Sequence, residues 1–526
     1  MEPPLPPWAF FLAVVLATLI LLKTVIRRRR RRTYNFPPGP KPWPVIGNLD
    51  LMGALPHRSI HDLSRRYGPL MQLWFGSLPV VVASSVDMAM FFLRTHDAVF
   101  TEDHRPKTAA GELTTYSYRD ITWSPYGAFW RQTSKTMCLA DELFSAKRLE
   151  SYEYIRGEEV RELLWDLHAA SGLAVVLKDY LSTMSLNVIT RMVLGKKYLD
   201  KEEEEVAAGG GAAATTPEEL KGMLDELSLL NGVLNIGAAI RWSDWMDMPG
   251  YIDRTKKLSE MFDQFLEHVV KEHDQRRRRK GRSFIAKDMV DVLLQIADDP
   301  NSEVNLDRES VKALTQDLII GGTECPAVTI EWALSELLKS PEVVAKATEE
   351  LDRIIGRGRW VTEKDIPHLP YIDAIIKETM RMHPVAPLLV SRLSHKDASK
   401  GFYDIHAGTR VLVNTWSIGR DPALWDVPDE FQPERFLRSK VEVKGQDYEL
   451  LPLGFSPRMC PGYSMALMLI QVSIANLLHG FSWRLPHSMT KEELSMEEIF
   501  GLSTPRKFPL EVIVEPKIST HLYSVS

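Results

Sequence analysis

The sequence predicts one large, mainly α-helical domain with a minor β-sheet, preceded by a single N-terminal transmembrane helix. Three observations predict it: long stretches with apolar residues at helical spacing, a few short β-branched runs, and an apolar N-terminus closed by six arginines. A chain of 526 residues could make several average domains, but no linker divides it. Its 44% hydrophobic and 25% charged residues are ordinary for a core-forming protein and argue against disorder.

The N-terminal element runs from Leu5 to Leu22, and its 18 almost wholly apolar residues reach roughly 27 Å as a helix, the span of a thin bilayer. Lys23 and Arg27 to Arg32 follow. Basic flanks stay on the cytoplasmic side, which places Met1 in the lumen, the arginines on anionic head groups and the rest in the cytosol. A cleaved signal peptide would carry its basic residues ahead of the apolar stretch, and here the order is reversed. A buried core helix is the plainer alternative, opposed by the arginine block. The formal charge of −6 divides into +6 on residues 1–32 (Lys23 and the six arginines against Glu2) and −12 on the remainder, so no nucleic-acid partner is expected. Cys138, Cys325 and Cys460 lie far apart without a C-x-x-C pair, which suggests neither a disulfide framework nor a structural zinc site.

Residues 1–26 are thus read as anchor, 27–44 as basic block and Pro-rich hinge, and 45–526 as the catalytic domain. In the hinge, Phe36 to Pro44 is stiff and extended because its prolines lock φ and lack N–H groups, and it is read as a spacer. A Pro-rich ligand for a partner domain is the other reading. Glu202 to Thr216 has no apolar periodicity and reads as a solvated loop. Arg276 to Lys280 reads as the exposed end of a helix whose apolar face is Met261, Phe265 and Val269. Pro79 to Ala83 and Thr409 to Val413 are expected as strands. No internal repeat is visible.

Three constellations carry chemistry. In the first, Ser456-Pro457-Arg458-Met459-Cys460-Pro461-Gly462 precedes an apolar helical stretch from Tyr463 to Leu478. Cys460 then sits ahead of a helix N-terminus, where the dipole and unpaired N–H groups stabilise a thiolate fit for a soft axial bond to iron. Arg458 is placed to reach a porphyrin carboxylate. A free cysteine is more often a small buried hydrophobe. In the second, Glu378 and Arg381 stand at i and i+3 of a helix stopped by Pro384, with Arg435 in Pro433-Glu434-Arg435-Phe436 as a third member of a structural network. A surface salt bridge is the bland alternative. In the third, Gly321-Gly322-Thr323-Glu324-Cys325-Pro326 lies within a helix from about Arg308 to Leu338. Two interior glycines cost about 1 kcal/mol each against alanine. They serve either a groove for a small molecule or tight packing against another helix.

In this order and at these separations the constellations resemble the cytochrome P450 superfamily, from the hinge to the C-terminus. The resemblance implies a cytochrome P450 fold and a haem-thiolate monooxygenase with haem b, Cys460 being the axial ligand of its iron. It implies that Thr323, Glu324 and Cys325 are catalytic residues over the distal oxygen site, and that Trp130, Arg392 and Arg458 contact haem propionates. The hinge, Pro433 to Phe436 and Pro461-Gly462 look like the plant microsomal enzymes. For these the resemblance implies a single-pass protein of the endoplasmic reticulum membrane, electrons from NADPH through a reductase in the same bilayer, and a small apolar substrate. Gly47-Asn48-Leu49, His61 to Leu70, Asp225-Glu226-Leu227 and Ser417 to Asp421 are similar to the plant clan that includes flavonoid hydroxylases. Along nearly all of its soluble part, including Glu498 to Pro505, the chain resembles the grass homoterpene synthases, which cleave a C–C bond of tertiary terpenoid alcohols to release dimethylnonatriene and trimethyltridecatetraene. A flavonoid or other aromatic hydroxylase is one alternative. A non-catalytic haem-binding relative is the other.

Departures from the family pattern cluster at the chemistry. Leu453 stands where the family has Phe, and Ser456 where it has Gly. Cys325 replaces a threonine hydroxyl with a weaker, oxidisable donor, and Pro326 removes the N–H that would bond to Gly322, so a kink is expected. Ser134 stands where a basic residue is expected, with Lys135 beside it. Substrate-facing positions are expected after Lys107, along Leu227 to Leu234, at Gly321, at Ala386 to Leu389 and at Leu502 to Thr504.

Overall fold

The structure, a computed structural model, describes residues 34–101, 109–138, 143–197, 216–232, 250–300, 302, 305–455, 458–486 and 489–523, together with Thr18. Apart from Thr18, the expected anchor and the arginine block lie outside them, as do Ser456, Pro457 and all of the 202–216 loop except Thr216.

The two expected strands are direct neighbours. After α1 (Pro56–Tyr67), β1 (Leu70–Phe75) and β2 (Leu78–Ala83) pair antiparallel, and Gly76 turns the chain between them at φ +56°. β3 (Arg392–Leu393) and β4 (Arg410–Val413) complete the sheet in the order β1, β2, β4, β3. β2 and β4 run parallel with Val80 opposite Arg410. Val80, Val81, Val82 and Ala83 are fully buried, so the sheet is covered on both faces. The Pro-rich segment lies on this sheet: the Gln72 N–H donates to the Pro38 carbonyl at 2.8 Å, and a Cβ on Gly39 would fall 1.9 Å from the Gln72 oxygen. A smaller sheet joins Ala174–Val176, Phe481–Arg484 and Glu511–Pro516.

Helices make up the rest. α2 (Ala109–Thr114) is followed by a turn in which Tyr116, Ser117 and Tyr118 all have positive φ, at 50°, 58° and 67°. Then come α3 (Ala128–Cys138) and α4 (Leu177–Leu194). α5 (Pro217–Gly232) starts with a reciprocal cap, Thr216 accepting from the Glu219 N–H while the Glu219 carboxylate accepts from the Thr216 N–H. α6 (Tyr251–Lys280) buries Leu258, Phe262, Phe265, Leu266 and Val269, but Met261, expected on that face, is 37% exposed. Counted from Leu258, those residues stand at i+4, i+7, i+8 and i+11, whereas i+3 falls at the rim of the stripe. The basic end of α6 is only partly exposed, because Arg276 turns inward to Asp288 and Asp291 at 2.6 and 2.8 Å.

α7 (Arg308–Lys339) is the axis of the molecule, packed along α4 and against α9 (Tyr463–Gly480), with α8 (Pro370–Met382) beside it. It is buried from Ser310 to Ile319, apart from Asp317, and again from Pro326 to Leu337. Between those stretches Ile320 to Cys325 is open. Among the described residues α9 alone is long and apolar enough to cross a membrane, and 72% of it is buried, which makes it a core helix.

Candidate active site

Cys460 lies at the end of a tight return in the chain. Its N–H donates back to the Leu453 carbonyl at 3.0 Å, Gly454 takes φ +83°, and Gly462 caps α9 two residues later. The expectation that Cys460 sits just ahead of a helix start therefore holds, and the sulfur meets the positive end of α9.

Facing it is the open stretch of α7. A Cβ added to Gly321 would meet nothing within 4 Å, whereas one added to Gly322 would lie 2.4 Å from Ile189 Cδ1 on α4. The tight-packing reading of the glycine pair holds at Gly322, which lets α4 close in, while Gly321 borders open space. Cys325 is half-buried by area, but its sulfur is packed deeply enough that burial pushes the thiol up to about 12, with Cys460 and Glu324 adding to the push. Cys460 is thus close enough to Cys325 to act on it electrostatically. α7 runs unbroken through Pro326, and the Cys325 carbonyl accepts from the Thr329 hydroxyl at 2.8 Å. The Thr323 hydroxyl turns back to the Ile319 carbonyl at 2.7 Å. Glu324 accepts from the Ser228 hydroxyl of α5 at 2.8 Å.

Two guanidiniums flank the Cys460 loop. Arg458 donates to the carbonyls of Ser124 at 2.8 Å and Ile121 at 3.3 Å, and its Cζ stands 4.1 Å from the Trp130 ring centroid. Trp130 donates its own N–H to that same Ile121 carbonyl at 3.0 Å. Arg392 pairs with Asp97 at 2.5 Å and reaches the Phe455 carbonyl at 3.4 Å. Burial draws its guanidinium below the ordinary value while Asp97 supports the charge. Ser134 is half-buried on α3, and the Lys135 side chain lies outside the described residues.

Behind this, the structural network forms as expected. Arg381 donates to both Glu378 oxygens at 2.7 and 2.8 Å, and Arg435 to one of them at 3.0 Å. Glu378 and Arg381 have 0% and 1% exposure, so the pair is no surface bridge.

A family model described as Cytochrome P450 matches residues 37–510. The chain belongs to that cytochrome P450 family. It is 46% identical to a dimethylnonatriene synthase of Zea mays over 94% of each chain. It is also 46% identical to a trimethyltridecatetraene synthase of Zea mays, over 98% of this chain and 95% of that one. A flavonoid 3'-monooxygenase of Crocosmia x crocosmiiflora is 38% identical over 93% of this chain and 94% of its own. Among solved structures, a zebra fish cytochrome P450 with abiraterone superposes with a TM-score of 0.71 at 25% identity, covering 88% of this chain and all of that one.

As a cytochrome P450, the chain is a monooxygenase with haem iron as cofactor, electrons supplied by a reductase and a small hydrophobic substrate. The residues present fit such a group: a sulfur at a helix N-terminus for the iron, two guanidiniums for a pair of carboxylates, and an open helix face opposite. The sequence placed Ser228 within a substrate-facing stretch but gave no sign of its bond to Glu324, and it missed the roles of Asp97 and of Asp317, whose carboxylate accepts from the N–H groups of Ile121 and Thr122 at 3.0 Å each. Each acts on a partner 90 or more residues away, and no local pattern announces that. Of the expected substrate positions, Gly321 borders open space, and Leu502 donates from its N–H to the Ser228 carbonyl at 3.4 Å. Leu388 packs instead with Val80, Val82 and Leu412 of the sheet. Residues 108, 233 and 234 lie outside the described ones.

Proposed function

We propose that this cytochrome P450 performs oxidative C–C cleavage of tertiary terpenoid alcohols, nerolidol and geranyllinalool, releasing homoterpenes. One observation carries the reading: 46% identity, along almost the whole chain, to two Zea mays enzymes named for those products, against 38% to a flavonoid monooxygenase.

Cys460 is the residue that holds the iron, its thiolate stabilised by the start of α9. Arg392 and Arg458 neutralise the propionates, and Trp130 fixes Arg458 beneath its ring. Haem, once bound, supplies the oxygen chemistry, which takes its electrons from NADPH through the reductase. Gly321, beside which no atom stands within 4 Å of an added Cβ, would leave room for the substrate. Cys325 holds its proton at Sγ throughout the physiological range, Glu324 accepts the Ser228 hydroxyl beside it, and Thr323 keeps its hydroxyl on the helix backbone. Leu5 to Leu22 anchors the chain in the endoplasmic reticulum membrane with Arg27 to Arg32 on the cytosolic side.

The test is conversion of nerolidol, geranyllinalool and naringenin by membranes holding this protein and a plant reductase, with products read by gas and liquid chromatography. Dimethylnonatriene and trimethyltridecatetraene are expected. Hydroxylated naringenin alone would replace the reading with the flavonoid one, and no turnover despite a sound thiolate spectrum would favour a non-catalytic relative. Protease protection of the two termini tests the anchor separately.

A further inference from the structure

We infer that Ser228 and Glu324 form a hydroxyl-recognition pair in the cavity facing Cys460, with Glu324 accepting the alcohol of an otherwise apolar substrate and Ser228 positioning the carboxylate. The inference rests on the terpenoid-alcohol reading and deepens it.

Several hydroxyls inside the helices of this protein turn inward on their own backbone, while others reach another element, Ser259 to the Leu113 carbonyl and Ser473 to Met184 Sδ. Thr190, Thr315, Thr329, Ser335 and Thr379 each donate to the carbonyl four residues earlier, the usual resting place for a helical hydroxyl. Ser228 departs from that pattern. Buried between Leu227 and Leu230 on α5, it reaches across to Oε2 of Glu324 on α7 at 2.8 Å.

A serine hydroxyl donates once, so it holds one carboxylate oxygen and leaves the other. Oε1 meets no protein donor among the described residues. Glu324 stands three residues after Gly321, on the same face of α7, and Gly321 borders open space. The spare oxygen is therefore carried at the edge of the groove. Leu227 and Leu230, on either side of Ser228 in α5, are buried apolar residues. A carboxylate in such surroundings is short of donors, and a substrate hydroxyl supplies one.

The pair is braced from a third side. The Ser228 carbonyl accepts from the Leu502 N–H at 3.4 Å, and the Thr504 carbonyl accepts from the Trp332 indole on α7 at 3.0 Å. The 501–504 turn thus ties α5 to α7 at the point where the hydroxyl would dock. A hydrocarbon of the same skeleton leaves the carboxylate unsatisfied, and a polyhydroxylated substrate brings further hydroxyls that these leucines do not pair.

The experiment is an optical titration of the haem band in the full-length, haem-loaded protein in lipid nanodiscs. The probes are nerolidol and farnesene, which shares its carbon skeleton without the hydroxyl. Wild type is compared with Ser228→Ala, Ser228→Thr and Glu324→Gln. Glu324→Gln is expected to weaken nerolidol by roughly 10-fold or more, the worth of a hydrogen bond to a charged acceptor, and to leave farnesene unchanged. Ser228→Ala should weaken nerolidol less, and Ser228→Thr should restore it. Unchanged farnesene binding shows that each variant is folded. If wild type converts nerolidol and the alcohol-to-hydrocarbon preference is the same in all four proteins, the pair is overturned and the proposed function stands. If wild type neither binds nor converts nerolidol, both fall together.

Discussion

Arg458 and Trp130 are stacked, guanidinium carbon 4.1 Å from ring centroid, and both donate to the single carbonyl of Ile121. Arg458 is thereby fixed to a segment, Ile121 to Trp130, that lies more than 300 residues away in the chain. Trp130→Leu removes the ring and its N–H together. A cation–π contact of ~1 kcal/mol and a buried hydrogen bond of similar size are lost, leaving Arg458 less tightly held on the Ser124 and Ile121 carbonyls. Haem content per protein should fall and the loaded protein should melt a few degrees lower. Unchanged haem retention during gel filtration would show that the stack does not hold Arg458 for the propionates.

Cys460→Ala removes the thiol just ahead of α9. The variant is expected either to lack haem or to lose the thiolate form of its reduced carbon monoxide difference spectrum, while the buried Glu378, Arg381 and Arg435 network keeps the helical signal in circular dichroism. A normal thiolate band in this variant would move the ligand to another residue.

Cys325→Thr exchanges a thiol, protonated at every physiological pH, for a hydroxyl that donates more strongly. Hydrogen peroxide released per NADPH consumed should drop severalfold, with product per NADPH rising to match. Equal leakage from both proteins would show that the thiol is no handicap.

Ser117→Gly tests the left-handed turn between α2 and α3. Ser117 is exposed and has φ +58° between two further residues of positive φ. For an L-residue that conformation costs roughly 1–2 kcal/mol, which glycine does not incur. The variant should resist urea better by about 1 kcal/mol. A loss of stability would mean that the serine side chain contributes more than the strain removes.

Glu498 sets an acid limit. Burial pushes its carboxyl up, but His57 at 2.8 Å and Arg58 at 2.5 Å outweigh that and hold it down to about 2. Because the folded value lies below the unfolded one, the stabilisation is complete above about pH 5 and lost as pH falls toward 2. It amounts to about 3 kcal/mol at most. Urea midpoints at pH 6 and pH 3 should therefore separate more in wild type than in Glu498→Gln. Parallel pH dependence in the two proteins would rule this carboxyl out as the source.

Much of the site was legible because its signals are local. Cys460 ahead of an apolar helix, Glu378 and Arg381 one turn apart, and a glycine pair inside a long periodic stretch each need only a few consecutive residues. The expected helices from Arg308 to Leu338 and Tyr463 to Leu478 match Arg308–Lys339 and Tyr463–Gly480 closely. Met261 went astray because a stripe drawn through three positions leaves its edges open by a full rim residue.

By itself the sequence determined the family, the helix-rich class, the cysteine ahead of the apolar helix and the three members of the buried charge network, since backbone periodicity and short spacings are written in neighbouring residues. Only the tertiary structure decided which glycine borders open space, that Arg392 turns to Asp97, and that Ser228 holds Glu324. Those depend on which helices pack against α7 and at what register. A side chain's partner across such an interface is chosen by the packing of whole elements, to which its own neighbours in the chain contribute little.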